Sequence, residues 1–415
     1  MNGDRSRPKT AWIAALLLLA FLIFWENHEI PSHVEECSGA DDRIPSLAAA
    51  SHRWLIRLST FLSPNDESVR VLSLTTGEEP DEIMTNVCLQ RHFLAKLITK
   101  LKNDHVTVIA IDKRYSNRAC ISDSSADTDL LAAAQSDNYT KVVIGVEADV
   151  APPAQRTMIN KRRVCLRLRP HLEFKNVKYG LITFDRDFRR VPLSWPILDS
   201  KQPFPTLSLV TAEARNPSLR TRSRRLQRVL ARVEDMHIPA AENAFARLYP
   251  ANVISSSSAI KALCGDDADA MTEWRNCSDK PNENNIYSGN IILIGNHTTA
   301  DLHDNGSDRA YGVDLHANYI AALLSDQFYT PLGDRLSNAV GATVWFVVIQ
   351  IILFFVRPLT KAGRSCILLW LSSLLVSIIL SHLGYLLMPW LQMVSFMVIL
   401  VSWLEHALHN AMREH

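Results

Sequence analysis

Charged residues vanish from three long stretches of this chain and are frequent elsewhere. Thr10 to Trp25, Leu336 to Val356 and Ser365 to Leu404 contain no Asp, Glu, Lys or Arg. A helix rises about 1.5 Å per residue and the hydrocarbon layer is about 30 Å thick, so about 20 residues cross it. The last stretch is twice that length, and it divides near Gly384 to Pro389, where proline removes a helical N–H. The pattern predicts four transmembrane helices, at 11–25, 336–356, 365–384 and 387–405. Residues 1–10 and 406–415 form short tails, and 26–335 form one large aqueous domain. A cleaved signal peptide is the rival reading of the first stretch. Glu26-Asn27-His28-Glu29 offers no small-x-small cleavage site, so the sequence favours an uncleaved anchor.

Inside the aqueous segment, strand and helix periodicities alternate. Leu47 to Leu62 has a helical apolar rhythm, and Val69 to Leu74 alternates as a strand. Asn86 to Lys102 predicts an amphipathic helix and Val106 to Ile111 a buried strand ending at Asp112. Asp127 to Gln135 follows as a short helix, and Lys141 to Val146 as a third strand. Strands separated by helices predict an α/β domain, a mostly parallel sheet with covering helices. Tyr179 to Phe184 and Arg189 to Leu193 are expected to form a hairpin around Asp185–Phe188. Helices are expected at 204–214, at 219–235 and at 316–324. Ile291 to Ile294, apolar at every position and closed by Gly295, is expected to be a central strand.

Charge sets the orientation. Arg5, Arg7 and Lys9 precede the first crossing, Glu26 and Glu29 follow it, and Arg357, Lys361 and Arg364 fill the loop at 357–364. Four crossings place both termini and that loop on one side. Basic clusters at membrane edges face the cytoplasm. The large domain, from about residue 26 to 335, is therefore expected outside. With 44 Lys and Arg against 43 Asp and Glu, the net charge is +1. Nucleic-acid binders carry a clear basic excess, so that class is excluded.

Six of the seven cysteines (37, 88, 120, 165, 264 and 277) lie in the exported segment, where disulfides persist. Cys264 and Cys277 bracket a polar segment and are the candidate pair. The plainer alternative makes several of the six small buried hydrophobes. Candidate ligand-binding residues concentrate after the 291–294 strand: His297, Asp301, Asp304 and His316, with His303 and Asp308 in the same stretch and Asp112 at another strand end. No fixed metal-ligand spacing occurs among them, so neither a metal nor a cofactor is expected, and loop ordering is the plainer role. What favours a ligand is position, because loops at the carboxyl ends of parallel strands bind small molecules. Asp185 and Asp187 read as turn chemistry. No G-x-S-x-G, Walker loop or G-x-G-x-x-G is present in the exported segment, and the chain is not expected to be an enzyme. Arg220, Arg222, Arg224, Arg225, Arg228 and Arg232 make one basic amphipathic helix, read as a solvated face in preference to an anionic-lipid or acidic-partner surface. His382 and Gln392 are the notable polar residues of the last hairpin.

An ordered series of blocks resembles the type-two CHASE domain, an extracytoplasmic sensory module of bacteria. The strand at 69–74 is followed by Arg91-His92-Phe93-Leu94-Ala95-Lys96-Leu97 and the strand at 106–112. Then come Tyr179-Gly180-Leu181-Ile182-Thr183-Phe184-Asp185-Arg186-Asp187, Arg190-Val191-Pro192-Leu193 and Phe204-Pro205-Thr206-Leu207-Ser208-Leu209. Most specific is Ile291-Ile292-Leu293-Ile294-Gly295 with Asp304 and Gly312-Val313-Asp314-Leu315-His316-Ala317-Asn318. One anchor before the domain and three crossings after it are also similar to the family. The sequence departs at Leu74-Thr75-Thr76, where the family's first strand ends in Asp, and at Phe188, where its hairpin has Gly. The resemblance implies a cyclase, kinase or related output domain, whereas this sequence ends at His415, the expectation being a stand-alone form. The leading expectation is a membrane-anchored sensor that passes an unknown small signal to a separate signalling partner. A structural or assembly component of an envelope complex is the alternative, and a periplasmic hydrolase the third reading.

Overall fold

The computed structural model describes residues 70–77, 79–113, 120, 123–152, 155, 157–159, 162–164, 166–182, 193–195, 197–198, 200, 203–223, 245–246, 254–265, 274–277, 286–297, 302–304, 309–331, 371, 375, 379 and 385–386. The chain divides into two compact units. One comprises Ser32–Gly39 and Pro64–Phe328, the other Met1–Pro31, Ala40–Ser63 and Tyr329–His415.

The larger unit is an α/β domain. Its first strand, β1 (Val71–Thr76), leads through α1 (Asp81–Thr85) and α2 (Val87–Asn103) to β2 (Val108–Asp112), then α3 (Ser125–Ala133) and β3 (Lys141–Val146). Asn86 starts α2 by accepting the N–H groups of Cys88 and Leu89 at 2.9 and 3.3 Å, which satisfies two donors that no helical carbonyl can reach. Between β3 and β8 (Lys178–Leu181) lie four short strands, β4 (Ala148–Val150), β5 (Thr157–Ile159), β6 (Arg162–Val164) and β7 (Leu166–Leu168). They pair antiparallel as β4 with β7 and β5 with β6. After β8 come β9 (Ser194–Trp195), β10 (Phe204–Pro205), α4 (Leu207–Arg215), α5 (Leu219–Arg222), β11 (Phe245–Ala246), β12 (Ile254–Ser258) and α6 (Ala259–Cys264). A short 3₁₀ turn at Trp274–Asn276 precedes β13 (Ile291–Asn296), β14 (Leu302–Asp304), β15 (Arg309–Tyr311), α7 (Gly312–Leu324) and β16 (Phe328–Pro331). In the smaller unit, Thr330 and Pro331 pair parallel with β17 (Tyr385–Leu386).

Six strands form one sheet in the order β12-β1-β13-β2-β3-β8. All its pairings are parallel. Alternation divides the side chains between two cores. Leu74, Ile109, Ile111, Ile144, Ile292 and Ile294 face α2, α3 and α6, and Trp274 closes that layer. Val71, Val108, Ala110, Val143, Ile291 and Leu293 face α4 and α7. A strand covered on both faces must be apolar at successive positions, so β13 reads Ile-Ile-Leu-Ile. Cys264 and Cys277 are joined by a disulfide with 5.0 Å between their Cα atoms, tying the end of α6 to the 3₁₀ turn.

Several expectations are corrected. Phe204 and Pro205 are not helical but pair with β9. Proline disfavours a helical conformation in the residue before it, so α4 begins only after Thr206. The helix expected at 219–235 does not run through Ser223, whose backbone is extended (φ −80°, ψ 104°); most of its arginines lie outside the described residues. α7 begins at Gly312, one turn before the expected start at His316. Gly295 is not a turn glycine, since it is a residue of β13 itself. A Cβ there would lie 2.7 Å from Cβ of Val313 and 3.3 Å from that of Asp112, so its missing side chain lets α7 approach the sheet. β8 joins the main sheet beside β3, whereas the turn at 185–188 lies outside the described residues.

Among the described residues no helix is long and apolar enough to cross a membrane. The spans expected at 11–25, 336–356 and 387–405 and the helix at 47–62 lie outside them, as does 365–384 except for Leu371, Leu375 and Ile379, which are helical and exposed.

Candidate functional site

β1 and β2 send the chain onward to α2 and α3 on one face of the sheet, whereas β13 sends it to α7 on the other. Connections that diverge to opposite faces leave a crevice beyond the carboxyl ends of the strands concerned. Here the divergence flanks β13 on both sides, because its neighbours are β1 and β2. Register aligns Thr76 with Asn296 and Gly295 with Asp112, so the three strand ends reach one edge together.

That edge is polar. The Thr76 hydroxyl donates to Oδ1 of Asn296 at 2.8 Å, and the Thr76 carbonyl accepts the His297 N–H at 3.0 Å. Gly77 then turns with φ +135°, a conformation that side chains rarely tolerate, and its N–H donates to Oε2 of Glu79 at 2.6 Å. Glu79 is buried, and its Oε1 has no hydrogen-bond partner among the described residues. Lys113 follows Asp112 at the end of β2. Burial lowers its pKa, and the opposite charges of Glu79 and then Asp112 counter that effect. A carboxylate with an unused oxygen and a desolvated ammonium thus belong to the same edge.

His297 and Asp314 form the second part. Nε2 of His297 lies 3.3 Å from Oδ2 of Asp314, in the first turn of α7, and the ring packs on Tyr311. Oδ1 of the same carboxylate accepts the Ser73 hydroxyl at 2.7 Å, 241 positions away in sequence. Serine, histidine and aspartate therefore meet, but in an order unsuited to nucleophilic catalysis. There the imidazole must stand between hydroxyl and carboxylate to take the proton, whereas here the carboxylate stands between. Ser73 is moreover fully buried. The arrangement fixes the start of α7 to β1 and to the exit of β13.

Of the residues expected to bind a ligand, the structure brings His297 and half-buried Asp112 to the crevice edge. Asp304 lies in β14, opposite Arg309 of β15, so a two-stranded hairpin occupies part of what was expected to be a plain loop. Asp301 lies outside the described residues. His316 is elsewhere: it is fully buried, its Nδ1 is 2.8 Å from the Ser208 hydroxyl of α4, and its ring meets the Tyr319 edge. It packs α7 on α4. Among the described residues no group of three or more His, Cys, Asp or Glu side chains is arranged to hold a metal. Sequence reasoning missed Glu79, Lys113 and Asp314. Asp314 was visible within the closing block, and Lys113 as the neighbour of Asp112 at a strand end.

The CHASE2 domain family model matches residues 52–357, most of the chain. The chain belongs to the CHASE2 domain family. CHASE2 domains are extracytoplasmic sensory domains, and the α/β domain with its six-stranded parallel sheet is the part of the match that the structure describes. Comparison with curated proteins and with solved structures gave no match.

Proposed function

We propose that this CHASE2 protein is a non-catalytic sensor, anchored in a bacterial inner membrane, that binds a small polar signal at the carboxyl edge of its sheet. It passes occupancy through its transmembrane helices to a separate signalling partner. The observation that carries the reading is the joining of crevice to exit path by one helix. Asp314 ties the first turn of α7 to His297 and Ser73, and α7 is the helix of the α/β domain that comes last in sequence before 336–356. A signal that displaced His297 from Asp314 would act directly on the helix leading to the membrane. Leu371, Leu375 and Ile379, each helical and exposed, recur every fourth residue, which supports a lipid-facing stripe in the 365–384 span. The basic loop at 357–364 supports the cytoplasmic assignment of both termini.

Two experiments test this reading. In a thermal-shift screen of small polar metabolites against the full chain in detergent, a bound signal at a hundredfold excess over Kd stabilises the fold by about 2.7 kcal/mol. Glu79→Gln and His297→Ala are expected to weaken the response at least tenfold in apparent Kd, and the isosteric Glu79→Gln to do so with an unchanged circular dichroism spectrum. A screen that shifts nothing, together with one stoichiometric partner in a pull-down, would replace sensing by docking in an envelope complex. For topology, reporter fusions at 360 and 415 should read cytoplasmic and a fusion at 150 external. An external reporter at 415 would remove one of the crossings in 365–404.

A further inference from the structure

Cys88 and Cys120 are not joined by a disulfide in the structure; both are buried, and they are neighbours. Cys88 lies in the first turn of α2, held by the Asn86 cap, and Cys120 lies shortly before α3. With Ala126 they form a small cluster of their own beside the main core. A single carboxylate keeps them in place. Asp127 of α3 pairs with the guanidinium of Arg91 through Oδ1, while its Oδ2 accepts the Cys120 N–H at 3.1 Å. Arg91 stands three residues after Cys88, on the same face of α2. Asp127 thus links the Cys120 backbone to Arg91, one helical turn from Cys88.

We propose that Cys88 and Cys120 are the partners of a second disulfide in the exported domain, closed before the surrounding core packs over them. The domain is of an extracytoplasmic family, and it already carries the Cys264–Cys277 bridge, so both pairs experience the same oxidising conditions. The oxidant required is a disulfide, whether of a protein or of a small molecule. One cysteine thiolate attacks a sulfur of that disulfide, forming a mixed disulfide and releasing one thiolate. The second cysteine thiolate attacks the cysteine sulfur of the mixed disulfide and releases the other. The two protons lost by Cys88 and Cys120 end on the two thiols of the reduced oxidant, which has gained two electrons. Timing follows from burial. The Cys120 thiol is pushed up to about 12, chiefly by desolvation and secondly by the neighbouring Cys88 thiol. Exchange proceeds through the thiolate, which is scarce under those conditions. Closure therefore belongs to the unpacked chain.

The test is a disulfide map of the full chain from membranes, alkylated under denaturing conditions at harvest and digested without reduction. It is scored in molecules whose Cys264–Cys277 peptide is linked, which guarantees an oxidised sample. A linked Cys88–Cys120 peptide is expected. Alkylation of both residues in those molecules, or linkage of either to Cys37 or Cys165, overturns the pairing. The order of events is tested on reduced chain exposed to oxidised glutathione. Cys88–Cys120 should form roughly tenfold faster in urea than in the folded domain. Equal rates would show that the bond closes after packing and would overturn the proposed order.

Discussion

Asp127→Ala is expected to lower the stability of the α/β domain by about 3–5 kcal/mol, the largest loss foreseen for any single charged residue here. Arg91 is only 2% exposed, and its guanidinium pairs with the Asp127 carboxylate. Placing a guanidinium in the interior is costly, and a partner offsets that cost only while it is present. Alanine also removes the acceptor for the Cys120 N–H and so detaches that segment from α3. Asp127→Asn keeps an acceptor of the same shape but loses the charge, and a smaller loss is expected. Pulse proteolysis of the full chain across a urea series measures both. A loss under about 1 kcal/mol for alanine would mean that Arg91 is solvated or otherwise held, and would remove the clamp invoked for the cysteine pair.

Gly180→Ala is expected to cost about 3 kcal/mol, the upper end of the overpacking range, although it adds only one methyl group. The added carbon would lie 2.5 Å from Cα and 2.7 Å from N of Leu207, the first residue of α4. Those are backbone atoms at a helix start, so no rotamer change relieves the contact. Either α4 shifts away from β8 or the edge strand leaves β3. The helix also carries Ser208, the hydrogen-bond partner of His316, so the displacement should reach α7. The same urea series reads the effect, and near-wild-type stability would show that α4 yields easily to the strand.

Part of the fold is legible in local pattern. β13 was expected to be central because it is apolar at consecutive positions, and it lies between β1 and β2 with helices on both faces. α2 follows from its apolar rhythm and the Asn86 cap, both properties of a short stretch of chain. The crevice was legible in outline for the same reason. A buried parallel strand must open at its carboxyl end, which drew attention to the residues after Ile294, and His297 does stand there.

What the residues do at that edge depends on partners remote in sequence. Asp314 acquires its place from Ser73, and Glu79 shares an edge with Lys113 only because β1 and β2 flank the same strand. Arg91 is buried beside Asp127 of α3, a partner 36 positions away that its own helix does not announce. His316 reads as a rim residue until α4 encloses it. Sequence by itself determined the alternation of strands and helices, the sheet's central strand, the uncharged stretches and the family, since each rests on periodicity, composition or an ordered motif within one segment. Tertiary structure alone decided which polar side chains are buried, which glycines are contact points and which cysteines meet. Those properties arise from register and packing between segments up to 241 residues apart, where no local pattern records the partner.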